Sequence, residues 1–331
     1  MQSDIKKSFS LILIILFFVL VLFATPFIGS QSLNYQQVLA YLHQVKTPDG
    51  IIFFRIRLPR VILALITGAS LSLAGVVFQS LLRNPLATPY TLGVSAGGAL
   101  GAVTMIKLGF AFTFLGFTTI QIAAFIGSLL TIILVYFLSR KTGRVSVNTM
   151  ILAGVTISYF FGALILMLHF LADFTETRQM IRWMMGGLDV VDLSQIIHTF
   201  PILLIAFIIL FMNSRTLNLI STSEETAFSK GVEVDQVRKG IFILASLITG
   251  LVVAISGPIG FLGLIVPHFL RLFLGVDHRY IIPASIIFGG AFLALCDTVA
   301  RTILTPIDIP VGIITAILGG PFFLWLLVKS K

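Results

Sequence analysis

Ten apolar runs, separated by short stretches rich in charge, proline or glycine, restrict the possible folds of this chain more than any other feature of its 331 residues. Candidate crossings of a hydrocarbon layer about 30 Å thick lie near 9–28, 61–82, 92–106, 117–138, 148–170, 196–212, 240–257, 259–274, 281–301 and 310–328. Backbone in lipid must satisfy its own N–H and C=O groups, so such runs fold as helices. The expected fold class is all-α, a polytopic membrane protein with ten transmembrane helices. With 57% hydrophobic and 11% charged residues, the chain has too little polar surface to cover a soluble globule. Lys6 and Lys7 ahead of the first run imitate a secretory signal. No clear small-x-small site precedes Pro26 and the run continues to Ile28, so it reads as an uncleaved first helix.

Charge assigns the sides. An even number of crossings puts both termini on one face, together with Lys6, Lys7, Arg83, Arg140, Lys141, Arg144, the basic residues of 215–239, Arg279, Lys329 and Lys331. The bias of Lys and Arg toward inner loops makes that face cytoplasmic. The net charge of +9 is scattered among apolar blocks rather than gathered into a stripe, so no nucleic-acid partner is expected. The outer face receives Lys46, Arg55, Arg57, Arg60, Lys107, Arg178, Arg182 and Arg301. Three of these fall within "FFRIRLPRVILAL" from residue 53, where Pro59 suits the first turn of a helix. Positive charge on this side runs against the topology rule. Either the arginines reach to lipid phosphates, or they meet carboxylates of a docking partner.

The sequence also matches itself at an offset of 182 residues, aligning "ITGASLSLAGVVFQSLLRNP" from 66 with "ITGLVVAISGPIGFLGLIVP" from 248. Five crossings separate the second helix from the seventh, so the copies run in opposite directions. That is an inverted repeat of the kind transporters use, with halves at roughly 57–195 and 239–331 in a single domain; a chance match of small apolar residues is the alternative. Small residues four apart, at Ala64, Gly68 and Ser72, at Gly93, Gly97 and Gly101, and at Gly312, Ala316 and Gly320, are expected to let helices pack closely.

Polar residues within the runs are few. Asp297 stands four residues before Arg301, on the same helical face, and the two should pair. Carriers driven by protons or sodium generally bury several carboxylates, so the energy source is expected on another chain. Yet this chain has no G-x-x-x-x-G-K-[ST] phosphate loop of its own. Cys296 reads as a small buried residue and His268 as structural, and the five histidines lack metal-ligand spacing, so no metal site is expected. An intramembrane enzyme would need a Ser/His pair or a metal motif, and none stands out.

The longest inner loop, residues 213–239, offers Ser221 and Glu224 as a capping box and Gly231 as the end of a helix of about two turns. A second short helix is expected through Arg238. Apolar Ala227 and Phe228 beside charged Glu224 and Glu225 suit either a cleft on a soluble partner or a lipid surface. In "LLRNPLATPYTLGVSAGGALGA" from 81, Pro85 and Pro89 break the second helix from the third, leaving Asn84 and Leu86 at the cytoplasmic mouth. Outside, "MIRWMMGGLDVVD" from 180 reads as an interfacial anchor or a short reentrant loop.

These residues resemble the FecCD-type permease subunits of ABC importers for iron complexes, haem and cobalamin. The resemblance runs from "RLPR" at 57 through "NPLATPYTLGVSAGGALGA", "WMMGGL", "SEETAFSKGV", "GPIGFLGLIVPHFLRL", "DHRYIIPAS" and "DIPVGIITAILGGPFFLWLL" to "FLWLLVK" at 323. It implies a type II ABC importer permease in the bacterial cytoplasmic membrane, multi-pass with both termini inside, paired with a second identical or paralogous copy. A cytoplasmic ABC ATPase dimer would use ATP and Mg, so no cofactor is expected on this chain, and an extracytoplasmic binding protein would deliver the cargo. By the same resemblance Arg57, Arg60 and Arg301 receive glutamates of the binding protein. Glu224, Glu225, Ala227, Phe228 and Gly231 form the element that couples to the ATPase, and Asn84, Leu86, Val147 and Asn148 fall at the inner gate. Val147 and Asn148 replace small hydroxyl residues found in some members.

Overall fold

The computed structural model describes residues 2–141, 144–188 and 193–329. Along the chain run α1 (Gln2–Ala24), α2 (Tyr35–Leu42), α3 (Pro48–Ile51), a π-helical turn (Ile52–Arg57), α4 (Leu58–Leu81), α5 (Val94–Leu108), α6 (Thr119–Ser139), α7 (Val147–Phe170), α8 (Phe174–Met184), α9 (Leu193–Met212), α10 (Ser214–Thr222), α11 (Glu224–Ser229), α12 (Val234–Ser256), α13 (Leu262–Leu274), α14 (His278–Ala300) and α15 (Val311–Lys329). The described strands, β1 (Thr113–Phe114) with β2 (Phe117–Thr118) and β3 (Arg140–Lys141) with β4 (Arg144–Val145), form two small hairpins between long helices.

Seven helices are long and apolar enough to cross a bilayer, and Val94–Leu108, Leu262–Leu274 and Val311–Leu326 are apolar but shorter. Together they coincide with the ten runs. The two shortest start late for local reasons. Pro89 precedes α5, which enters through Gly93 at φ +77°, and α13 follows "GPIG", entering through Phe261 at φ +68°.

The second spanning segment begins earlier than expected, because α3, the π-turn and α4 form one continuous helix over Pro48–Leu81. Pro59 therefore sits inside a helix. It has no N–H to offer the preceding turn, and just before it the ladder widens, with Leu58 N–H donating to Phe53 O. The stretch from 180, read as a loop, is helical through Met184, because Asp173 and Glu176 cap α8 reciprocally. Its last four residues, 189–192, lie outside the described ones.

At the centre stands α4, buried along nearly its whole length. Gly75 lies against the backbone of Gly263 on α13, and Gly68 against Gly289 on α14. Gly97 and Gly101 similarly meet Gly127 and Ala123 on α6. In the third stripe only Gly312 makes such a contact, with Met185 O, whereas Ala316 is exposed and Gly320 faces open space. Packing is reciprocal across the two stretches aligned by the offset. Helix α4 packs on α13 and α14, and α12 packs on α5 and α6.

Candidate docking and coupling sites

Two polar clusters occupy opposite ends of α4 and α14. At the first, the π-turn and the start of α4 bring Arg57 and Arg60 beside the C-terminal end of α14, which carries Asp297 and Arg301. The arginines were expected to project outward, but only 6%, 9% and 5% of Arg57, Arg60 and Arg301 is exposed. Internal acceptors hold them. Arg57 donates to the carbonyls of Phe27 (2.9 Å) and Gln31 (2.5 Å), its guanidinium resting on Gly29. Arg60 Nε donates to both oxygens of Asp297 at 3.0 and 3.1 Å, and Nη1 donates to Asp308 at 2.9 Å. Arg301 donates to Thr25 O at 2.6 Å and approaches Asp297 at 3.7 Å.

Asp297 is thus shared between two guanidiniums and has no exposed surface. A carboxylate out of water is tolerable when opposite charges and hydrogen bonds surround it. The expected Asp297–Arg301 pair exists, but the shorter contacts come from Arg60, 237 residues away in sequence. Asp308, half exposed, covers the remaining side of Arg60.

At the other end the inner loop folds as α10 and α11. The cap of α11 is Ser223, whose hydroxyl accepts from Thr226 N, rather than Ser221, which belongs to α10. Serine two positions nearer won because α10 continues to Thr222. Gly231, at φ +79°, ends the turn as expected. No separate short helix runs to Arg238, which instead lies in the first turns of α12.

Within the elbow, Ala227 is buried, Glu225 is exposed and Phe228 is 77% exposed. Glu224 accepts from Arg238 at 2.6 Å and from Arg83, in the turn after α4, at 3.1 Å. Of the gate residues, Val147 and Asn148 line a cleft with Leu82, Arg83, Glu224 and Arg238. Asn84 spends its side-chain oxygen on Leu86 N (2.9 Å), shaping the turn, and Leu86 is exposed; neither lines that cleft.

Asp308, the pairing of Arg238 with Glu224, and the cluster of Ser80, Asn218 and His278 carry no signal in the sequence alone. Asn218 on α10 donates to Asp277 at 2.8 Å and accepts from His278 N at 2.9 Å. Asp277 caps α14, and the Arg279 guanidinium beside it holds its carboxyl well below the usual carboxylate range. Among the described residues no group of three or more His, Cys, Asp or Glu is placed to hold a metal ion.

The model of the FecCD transport family matches residues 12–329. The hemin transport system permease protein HmuU of Yersinia pestis is 34% identical over all of this chain and 98% of its own. The cobalamin import system permease protein BtuC of Halobacterium salinarum is 40% identical over 82% of this chain and 72% of its own. A solved structure described as an inward-facing conformation of a metal-chelate type ABC transporter superposes with a TM-score of 0.84 at 32% identity, covering 96% of this chain and 97% of that one.

Proposed function

Because the chain belongs to the FecCD transport family, we propose that it is the transmembrane permease of an ABC importer for a metal chelate, with an iron–siderophore complex as the first cargo to test and haem and cobalamin after it. The observation that carries this reading is the placement of the two polar clusters at opposite ends of the same two helices. Helix α4 has Arg60 near its start and Arg83 just after its end, and α14 starts at His278 and is followed directly by Arg301. Events at one end can therefore reach the other through rigid elements.

In this reading the arginine end faces outward and receives carboxylates of a binding protein, and the elbow end faces the cytoplasm. Exposed Phe228 and Glu225 enter a groove of the ATPase, and buried Ala227 anchors the elbow to its own bundle. Both termini are cytoplasmic. A second permease copy completes the pathway, ATP and Mg reside on the ATPase, and this chain makes and breaks no covalent bond. Reconstituted uptake should require ATP, the ATPase and the binding protein together. Uptake driven by a proton or sodium gradient alone would instead establish an ion-coupled carrier.

The docking role has its own test. Reversing Arg60 to Glu would set a third carboxylate against Asp297 and Asp308, so neutral exchange is the better probe. Arg60→Gln combined with Asp308→Asn removes one positive and one negative charge, leaving the local sum unchanged. Affinity for the binding protein at low salt should fall about ten-fold, with a shallower salt dependence. Unchanged affinity would remove Arg60 from the docking surface.

A further inference from the structure

We infer that Asn218, His278 and Ser80 form a partly buried relay that carries movement of the cytoplasmic elbow into the two central helices; this rests on the reading of α11 as the ATPase contact. The elbow is α10 followed directly by α11. Its exposed part meets the partner, so any displacement must pass through its inward attachments. There are two.

One is Glu224, held by Arg83 and Arg238 but half exposed to solvent, which weakens ion pairs by screening. The other is Asn218, itself half-buried but bonded to the buried His278. Its side-chain oxygen accepts from His278 N at 2.9 Å and hydrogen-bonds with His278 Nδ1 at 2.5 Å, and its amide donates to Asp277 at 2.8 Å. One asparagine thus grips both the cap and the first residue of α14.

The far nitrogen of the same imidazole, Nε2, hydrogen-bonds with Ser80 Oγ on α4, and both His278 and Ser80 are buried. A rigid planar ring therefore spans from α10 to α4, with its backbone fixed in α14. Next to Ser80, Gln79 receives a hydrogen bond from Arg271 (2.5 Å) and donates to Gly263 O (2.9 Å), tying α4 to α13. Helices α4, α13 and α14 are thus joined at this end, and Asn218 is the side chain by which α10 holds α14. In a site shielded from water such directional bonds resist shear better than apolar contact, which slides. Asn218, His278 and Ser80 are positioning residues and touch no cargo.

The test uses the complete importer in liposomes, comparing Asn218→Leu, Ser80→Ala and the double variant with wild type. Retention of the ATPase, its hydrolysis rate, and uptake per ATP hydrolysed are measured for each. Each single variant should lower uptake per ATP about five-fold while leaving ATPase retention and hydrolysis within about two-fold, the size expected for losing one or two buried hydrogen bonds. The double variant should be no worse than the worse single one, because both cut the same chain. Uptake and hydrolysis falling in parallel, or additive losses in the double variant, would overturn the relay. If Asn218→Leu fails to assemble, Ser80→Ala decides alone, since alanine keeps the helix and removes only the hydroxyl. Phe228→Ala separates this from the parent reading: full ATPase retention in that variant would sink the elbow assignment itself.

Discussion

Asp297→Leu is expected to destabilise the protein by about 3–5 kcal/mol, the usual consequence of removing one partner from a buried charge set. Leucine keeps the heavy-atom count and branching of aspartate and removes its charge, so the larger part of the loss is electrostatic. Arg60 would lose its fully buried acidic partner and keep half-exposed Asp308, and Arg301 would keep Thr25 O and Thr298 with Asp308 as a more distant countercharge. Thermal unfolding in detergent should show a midpoint drop on the order of 10 °C. A second variant identifies the cause. Adding Arg60→Met to Asp297→Leu removes one stranded guanidinium, and apolar replacement of a buried ion pair is often neutral, so part of the loss should return. A single substitution that costs less than about 1 kcal/mol would mean that water reaches these arginines freely.

The second large effect is steric. At Gly75 an added Cβ would press into the carbonyl and Cα of Gly263, and both obstacles are backbone, which cannot rotate aside. Gly75→Ala should therefore force α4 and α13 apart and cost about 3 kcal/mol or more, the upper range of overpacking. The matched control is Gly320→Ala. That glycine faces open space in α15, and alanine there should be neutral or slightly stabilising through helix propensity. Equal midpoints for the two variants would show that the crossing at Gly75 is loose.

How far each feature could be read in advance depended on the sequence distance over which it is encoded. Apolar runs are local, so the ten helices were readable to within a few residues at most ends. Caps are local too, but the serine at 221 and the one at 223 both stand before acidic residues. Choosing between them required knowing where α10 stops. The earlier start of the second segment was hidden because Pro59 marks a helix start in most contexts, and only the widened turn before it lets the helix continue. The four-residue stripes were legible as packing surfaces, yet α15 has the same pattern as α4 without neighbours against Ala316 and Gly320. Spacing gives a face; it does not say what covers the face.

The site residues divide along the same line. Arg57, Arg60, Arg301 and Glu224 could be chosen from the sequence, because the motifs around them resemble those of the family. Apart from Asp297 beside Arg301, their partners could not. Arg60 meets Asp297 across 237 residues, Arg83 meets Glu224 across 141, and Ser80 meets His278 across 198. No periodicity reports such pairings, and the first of them turns Arg60, expected to project outward, into a buried and paired charge.

By itself the amino-acid order determined that this chain lives in a bilayer, how many apolar helices it makes, and which family it belongs to, because hydrophobic length and local motifs are written along one strand of text. Only the tertiary structure decided that Arg60 and Arg301 are held inward by carboxylates and Arg57 by backbone carbonyls, and that Asn218 and His278 join the elbow to α14 and α4. The reason is physical: a charge or a buried amide is satisfied by whatever the fold brings within about 3 Å, and that neighbour is chosen by helix packing rather than by position in the chain.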